Sequence, residues 1–166
     1  MRYSSVALAA ALAAVCMGTS LSGQKPDDRV DPRSMALLAQ GRAARAAGNL
    51  DGATDLLETA AVVDPRNRGA FVTLAEVAQA RGLPGKAIRL YREALLLEPN
   101  DVAALQGQGD ALVAKGAIIR AQANLARIRT LCKTGCAPAT ELAATIAKGP
   151  PVTTAQIDKP AVKSAE

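Results

Sequence analysis

Three consecutive stretches of this chain, Ser34 to Asn67, Arg68 to Asp101 and Val102 to Gly135, carry the same residue types at a spacing of 34. Aligning Pro65 with Pro99 brings Leu37, Phe71 and Leu105 into one column, and Gly48, Gly82 and Gly116 into another. Ala53, Ala87 and Ala121 form a third, Gly41, Ala75 and Gly109 a fourth, and Leu57, Tyr91 and Leu125 a fifth; Ala60 and Ala94 are joined by Ile128. An internal period constrains a fold more tightly than composition does. Each unit is too small to bury its apolar face alone and must stack on its neighbours.

The apolar spacing inside a unit is helical. In the second, Phe71, Leu74, Ala75 and Ala78 share one face of a helix expected over Ala70 to Arg81, and Gly82 ends it. Pro84 then opens a second helix carrying Ala87, Leu90, Tyr91, Ala94 and Leu97. Asp64-Pro65 and Glu98-Pro99 stop the second helices, because proline disfavours helical geometry in the residue before it. Composition agrees: alanine and leucine are strong helix formers, and the only aromatics are Tyr3, Phe71 and Tyr91. Small residues at Gly41, Ala75 and Gly109 mark places where two helices come close.

These columns resemble the tetratricopeptide repeat. The second unit matches best, with Phe71, Leu74, Ala75, Ala87, Tyr91, Ala94 and Pro99. The first keeps Leu37, Gly41, Ala53, Leu57, Ala60 and Pro65 but has Gln40 in place of leucine. The third keeps Leu105, Gly109, Ala121 and Leu125, with Gln108 for leucine and Lys133 for proline. The resemblance implies an all-α, right-handed superhelical solenoid of three helix pairs, with repeats at 34–67, 68–101 and 102–135. Ala137-Pro138-Ala139-Thr140-Glu141 reads as a new helix start, so residues 138–148 are expected to form a helix capping the last repeat and closing a domain of 33–148.

The flanks read differently. Residues 1–22 have Arg2, an apolar run from Val6 to Met17, and small polar residues around Ser20 and Ser22, the layout of a secretory signal peptide whose run is too short to span a membrane. Residues 23–32 read as a flexible lead-in. Residues 149–166 read as a disordered tail, since Gly149-Pro150-Pro151 breaks the helix and too few apolar residues follow. Cys16 offers an alternative, cleavage and acylation as a lipoprotein, but Ala13-Ala14-Val15 puts valine where a small residue is wanted. Export, with the periplasm as destination, is the expectation.

The 20 Lys and Arg against 15 Asp and Glu are interleaved rather than clustered, which does not describe a nucleic-acid surface. With no histidine there is no histidine general base or metal ligand, and no phosphate loop is present; an enzyme or a cofactor site is not expected. Asp51, Asp55 and Glu58 near a helix start are explained by the helix dipole and nearby basic partners. The resemblance implies a concave face lined by the first helix of each pair, which takes a protein or peptide partner. Helical geometry puts Met35, Leu38, Arg42 and Arg45 on that face of the first unit, and Leu37, Gln40, Gly41 and Ala44 against the paired helix. The equivalents are Gly69, Val72, Glu76 and Gln79 in the second unit, and Ala103, Gln106, Asp110 and Val113 in the third. A scaffold or adaptor is the first reading. The alternative is an assembly or pilotin-like component of an envelope pilus or secretion machine, anchored to the membrane through Cys16.

Cys132 and Cys136 lack further soft ligands for a metal, and their spacing and helical setting do not fit a thioredoxin-type centre. Four residues apart at a helix end, their Cα atoms stand about 6 Å apart, within reach of a disulfide in an oxidising compartment. That bridge would set the angle between the last repeat helix and the capping helix. The intact mass of the exported, unreduced protein is therefore expected to match a chain beginning at Gly23, or at Leu21 where cleavage follows Ser20, with two hydrogens fewer than the reduced form. A lipid mass on Cys16 would replace the signal-peptide reading, and two free thiols would remove the bridge.

Overall fold

The computed structural model describes residues 29–132 and 135–151. The signal peptide, Cys16, Lys133, most of the lead-in and most of the tail lie outside the described residues. Within them the chain forms seven helices: α1 (Pro32–Ala46), α2 (Leu50–Val63), α3 (Arg68–Ala80), α4 (Pro84–Leu97), α5 (Val102–Ala114), α6 (Ile118–Leu131) and α7 (Ala137–Lys148). They form three antiparallel pairs, α1 with α2, α3 with α4 and α5 with α6, stacked so that α2 touches α3 and α4 touches α5. The first helices, α1, α3 and α5, line one side of the stack, and α7 closes its end against both α5 and α6.

Polar caps move several boundaries from their sequence-based places. α1 begins at Pro32, inside the expected lead-in, because the Asp31 carboxylate accepts from the Arg33 amide at 2.8 Å and Pro32 suits the first turn. α3 begins at Arg68 rather than Ala70 and ends at Ala80, since Asn67 caps it by accepting from the Ala70 amide at 3.3 Å. Asp101 caps α5 through the Ala103 and Ala104 amides at 2.9 and 3.1 Å. α7 starts at Ala137, one residue before Pro138.

Each pair turns through the same motif. Gly48, Gly82 and Gly116 adopt φ of 77°, 69° and 74°, left-handed values that cost an L side chain energy. The next amides, of Asn49, Leu83 and Ala117, reach back to the Ala44, Ala78 and Leu112 carbonyls at 3.0, 2.8 and 2.8 Å. This closes the ends of α1, α3 and α5.

Junctions between repeats are polar. The Ser34 hydroxyl donates to the Ala60 carbonyl at 2.7 Å and accepts from Asn67 Nδ2 at 2.7 Å. Asp64, 3% exposed, accepts from Arg66 Nε at 3.1 Å, the Arg66 amide at 2.9 Å and the Asp31 amide at 2.8 Å. The Arg66 contacts, foremost its side chain, hold the Asp64 carboxyl well below the usual carboxylate range. Arg68, at the start of α3, forms an ion pair with Asp101, the residue that caps α5.

Small residues set the helix spacing. A Cβ on Gly41 would lie 2.6 Å from Leu57 Cγ, so the backbone of α1 rests directly on that leucine. At Gly109 the neighbour is instead Leu142 of α7, whose Cδ2 would be 2.6 Å away and which is fully buried among Leu105, Leu125 and Ile128. Cys132 and Cys136 are joined by a disulfide with Cα atoms 5.8 Å apart, linking the end of α6 to the start of α7.

Tyr91 of α4 lies against Gly107 of α5, where a Cβ would overlap its Cζ and Oη, and its hydroxyl donates to Gln79 Oε1 at 2.7 Å. Gly107→Ala is expected to lower stability by about 1–3 kcal/mol, because overpacking and the disturbed hydrogen bond outweigh the roughly 1 kcal/mol that alanine adds to a helix. Gly85→Ala, at a helical position with nothing within 4 Å of the added carbon, is expected to be neutral or to stabilise by up to about 1 kcal/mol. Urea midpoints at unchanged slope test the pair. Equal shifts in one direction would contradict the packing account.

Candidate binding groove

The face left between the first helices of the pairs is built from α1, α3 and α5, with α7 continuing it beyond α5. The side chains expected there are brought together, with two corrections. Leu38 is 3% exposed and belongs to the core with Leu57, Leu74 and Val77. It turns inward because α3 comes close at Gly69, where a Cβ would be 2.6 Å from Leu38 Cδ2. Val113 is likewise buried, with Leu112 and Ala121. Gln40, expected against the paired helix, is exposed.

The remaining residues are tied across helices. Arg42 Nε donates to Thr73 Oγ1 of α3 at 3.4 Å. Arg45 pairs with Glu76 at 3.0 Å, both partly exposed. Gln79 Nε2 donates to the Gly107 carbonyl at 3.2 Å while its Oε1 accepts from Tyr91, so this residue braces α3 against α4 and α5. Val72 is half-buried and packs against the Tyr91 cluster. Gln106 Nε2 donates to Glu141 Oε2 of α7 at 2.6 Å. Asp110 is half-buried, and its Oδ1 has no hydrogen-bond partner.

Charge is graded along this face. The Tyr91 hydroxyl is pushed above its ordinary pKa by burial, then by the charges of Glu76 and Asp110, with Arg45 opposing. Glu141 and Thr145 of α7 are groove residues that the repeat alignment missed, because α7 lies outside the period. The reading of 138–148 as a cap resting on the last repeat already held the clue that its exposed side continues the face. At the other end, Val30, Met35, Leu38, Arg42, Arg66, Asn67, Arg68 and Gly69 enclose a cavity of about 260 Å³ between the starts of α1 and α3.

Two of the three carboxylates near the start of α2 are paired with basic side chains. Asp51 binds Arg81 and Glu58 meets Lys86 at 3.4 Å. No group of three or more His, Cys, Asp or Glu residues able to hold a metal ion occurs among the described residues, and no helix among them is long and apolar enough to cross a membrane.

No family model and no curated protein matches the sequence. Solved structures do match in fold. The first TPR domain of Spaghetti (RPAP3), bound to the HSP90 peptide SRMEEVD, superposes with a TM-score of 0.66 at 20% identity, covering 73% of this chain and 96% of that one. The Sgt2 TPR domain from Aspergillus fumigatus gives 0.67 at 21% identity, covering 75% and 83%. The Yersinia enterocolitica type III secretion chaperone SycD, in complex with a peptide of the translocator YopD, gives 0.60 at 18% identity, covering 69% and 86%. Helix pairs, turn motif and superposition agree: the protein has the tetratricopeptide-repeat fold.

Proposed function

We propose that the protein is an exported binding module that takes an extended or amphipathic polypeptide across α1, α3, α5 and α7. The observation that carries this reading is Asp110. A carboxyl kept half-buried with one oxygen unpartnered does not serve the fold. Burial raises its pKa, Glu141 adds to the rise, and Thr145 opposes it. Such groups persist where they meet a ligand, and a stability cost at a binding site is the usual trade. The complexes of RPAP3 and SycD with peptides support the choice of a polypeptide partner. The signal-like residues 1–22 and the disulfide support the periplasm as the place of action. The second reading, a role in an envelope secretion machine, draws its support from the SycD complex with a translocator peptide.

A photo-crosslinking residue placed at Val72 or Gln106 in the exporting cell is expected to form discrete adducts. The same residue at Leu96, exposed on the outer side of the second helices, is not. Adducts confined to position 96 would move the binding surface to the opposite side.

Asp110→Asn is expected to stabilise the free protein at pH 7 by about 0.5–2 kcal/mol and to weaken the groove adducts. The sign follows from the raised pKa. The folded state holds the proton more tightly than the unfolded chain, so the ionised group costs stability above its folded pKa, and the cost fades as pH falls through the carboxylate range near 4. The difference between Asp110→Asn and wild type in thermal melts should therefore shrink towards pH 3.5. A variant less stable than wild type at pH 7 would contradict the account.

A further inference from the structure

We propose that the outer face of α2 docks on the outer face of α6 of a second copy of this chain, so that copies associate head to tail on the side away from the groove. The two faces are opposite in charge. α2 carries Asp51, Asp55 and Glu58 and no basic residue, whereas α6 carries Arg120, Arg127 and Arg129 and no acidic one. Within one copy these helices do not touch, so the charges cannot meet each other. The side chains of Asp55, Arg120 and Arg129 make no ion pair or hydrogen bond among the described residues. Arg127 donates only to Asn100 Oδ1, at 3.3 Å. Asp51 and Glu58 are held by Arg81 and Lys86 in exposed pairs, which exchange partners at little cost.

The register supplies an apolar contact as well. At about 100° per residue, Asp51, Asp55, Glu58 and Val62 fall on one line along the outside of α2, and Ile119, Ala123, Ala126 and Thr130 on the matching line of α6. Arg120 and Arg127 flank the second line on one side and Arg129 on the other, and both lines are exposed throughout. Set antiparallel, they bring Val62 onto Ile119, Glu58 onto Ala123, Asp55 onto Ala126 and Asp51 onto Thr130. Val62 and Ile119, at 81% and 83%, are the most exposed large hydrophobic residues among the described ones, and this pairing covers each with the other. The carboxylates then lie over side chains short enough to let them reach the flanking guanidiniums. A parallel setting would instead strand Asp51 on Ile119. Because the two patches differ, each copy keeps one of them free to add another copy. One helix on one helix is a small contact, so the association is weak, depends on concentration and falls as salt rises.

The test is sedimentation equilibrium of the mature, disulfide-bonded protein. Its weight-average mass is expected to rise with concentration above that of one chain, and to fall back when salt is raised. Val62→Lys and Ile119→Glu each set a like charge against the facing patch at an exposed position, and each suits the dipole at its own helix end. Either variant alone is expected to weaken the association about tenfold or more while leaving the thermal midpoint in place. Mixed in equal amounts, the two are expected to associate again, since each brings the intact patch that the other lacks. A wild type that stays monomeric at every concentration, one variant that associates as the wild type does, or a mixture that remains monomeric would overturn the proposal. Two further results would overturn it by naming another occupant. Cosedimentation of a monomeric wild type with phosphatidylglycerol vesicles, lost in Ile119→Glu, would assign α6 to a membrane surface. Association that appears only after deletion of residues 152–166 would assign the face to the chain's own tail.

Discussion

The close approach of paired helices over a side chain that is barely there underlies everything else in this protein. With no tryptophan, one phenylalanine and two tyrosines in the whole chain, the interior cannot be filled by bulk. It is filled by proximity: Ala53, Ala60, Ala75, Ala87, Ala94, Ala104 and Ala121 are fully buried, and leucines lie directly on glycine backbone at Gly41 and Gly109. Dispersion falls off steeply with a gap of even half an ångström, so an alanine-rich core holds only if the backbones stay that close. This is why the 34-residue period keeps small residues at Gly41, Ala75 and Gly109 and at Ala53, Ala87 and Ala121. One inserted residue would rotate a small position by 100° and place a longer side chain in the contact.

Given that spacing, the polar residues divide into two kinds. Those at the junctions do double service: Asn67 caps α3 and ties it to Ser34, Asp101 caps α5 and pairs with Arg68, and Asp64 gathers Arg66 and the Asp31 amide. They are buried, so removing one partner strands another. The polar contacts of the groove are different. Arg45 with Glu76 and Gln106 with Glu141 are partly exposed pairs, each worth no more than about 1 kcal/mol to the fold. Their side chains can open towards a ligand at little cost, which the junction residues cannot do.

What the sequence made legible follows the same division. Everything repeating at 34 was readable: the turn glycines with their positive φ, the small contact residues, and the proline stops. What failed depended on a neighbour outside the column. Leu38 points away from its paired helix by angle alone, yet it is buried because Gly69 lets α3 draw near; the signal was the glycine, not the leucine. Gln108, standing where leucine is usual, is buried because Asn124 Nδ2 donates to its Oε1 at 3.0 Å and its own amide reaches the Ile88 carbonyl at 3.3 Å. That network joins α4, α5 and α6 and leaves no trace in a column alignment.

The last helix shows how the end of an array can shape an exposed face. A full further repeat would cover α5 and α6 with two helices, whereas here α7 alone meets both. Leu142 must therefore fill the space over Gly109 that its counterpart Leu57 fills within the first pair. Seating Leu142 fixes the rotation of α7. Glu141, one residue earlier, then meets Gln106, and Thr145, three residues later, comes to Asp110. The Cys132–Cys136 bridge limits how far α7 can swing from α6. Core packing and a covalent link thus place negative charge at the α7 end of a face whose α1 end carries Arg42 and Arg45. A charged segment laid across the four helices meets opposite potentials at its two ends, and only one direction along the groove satisfies both.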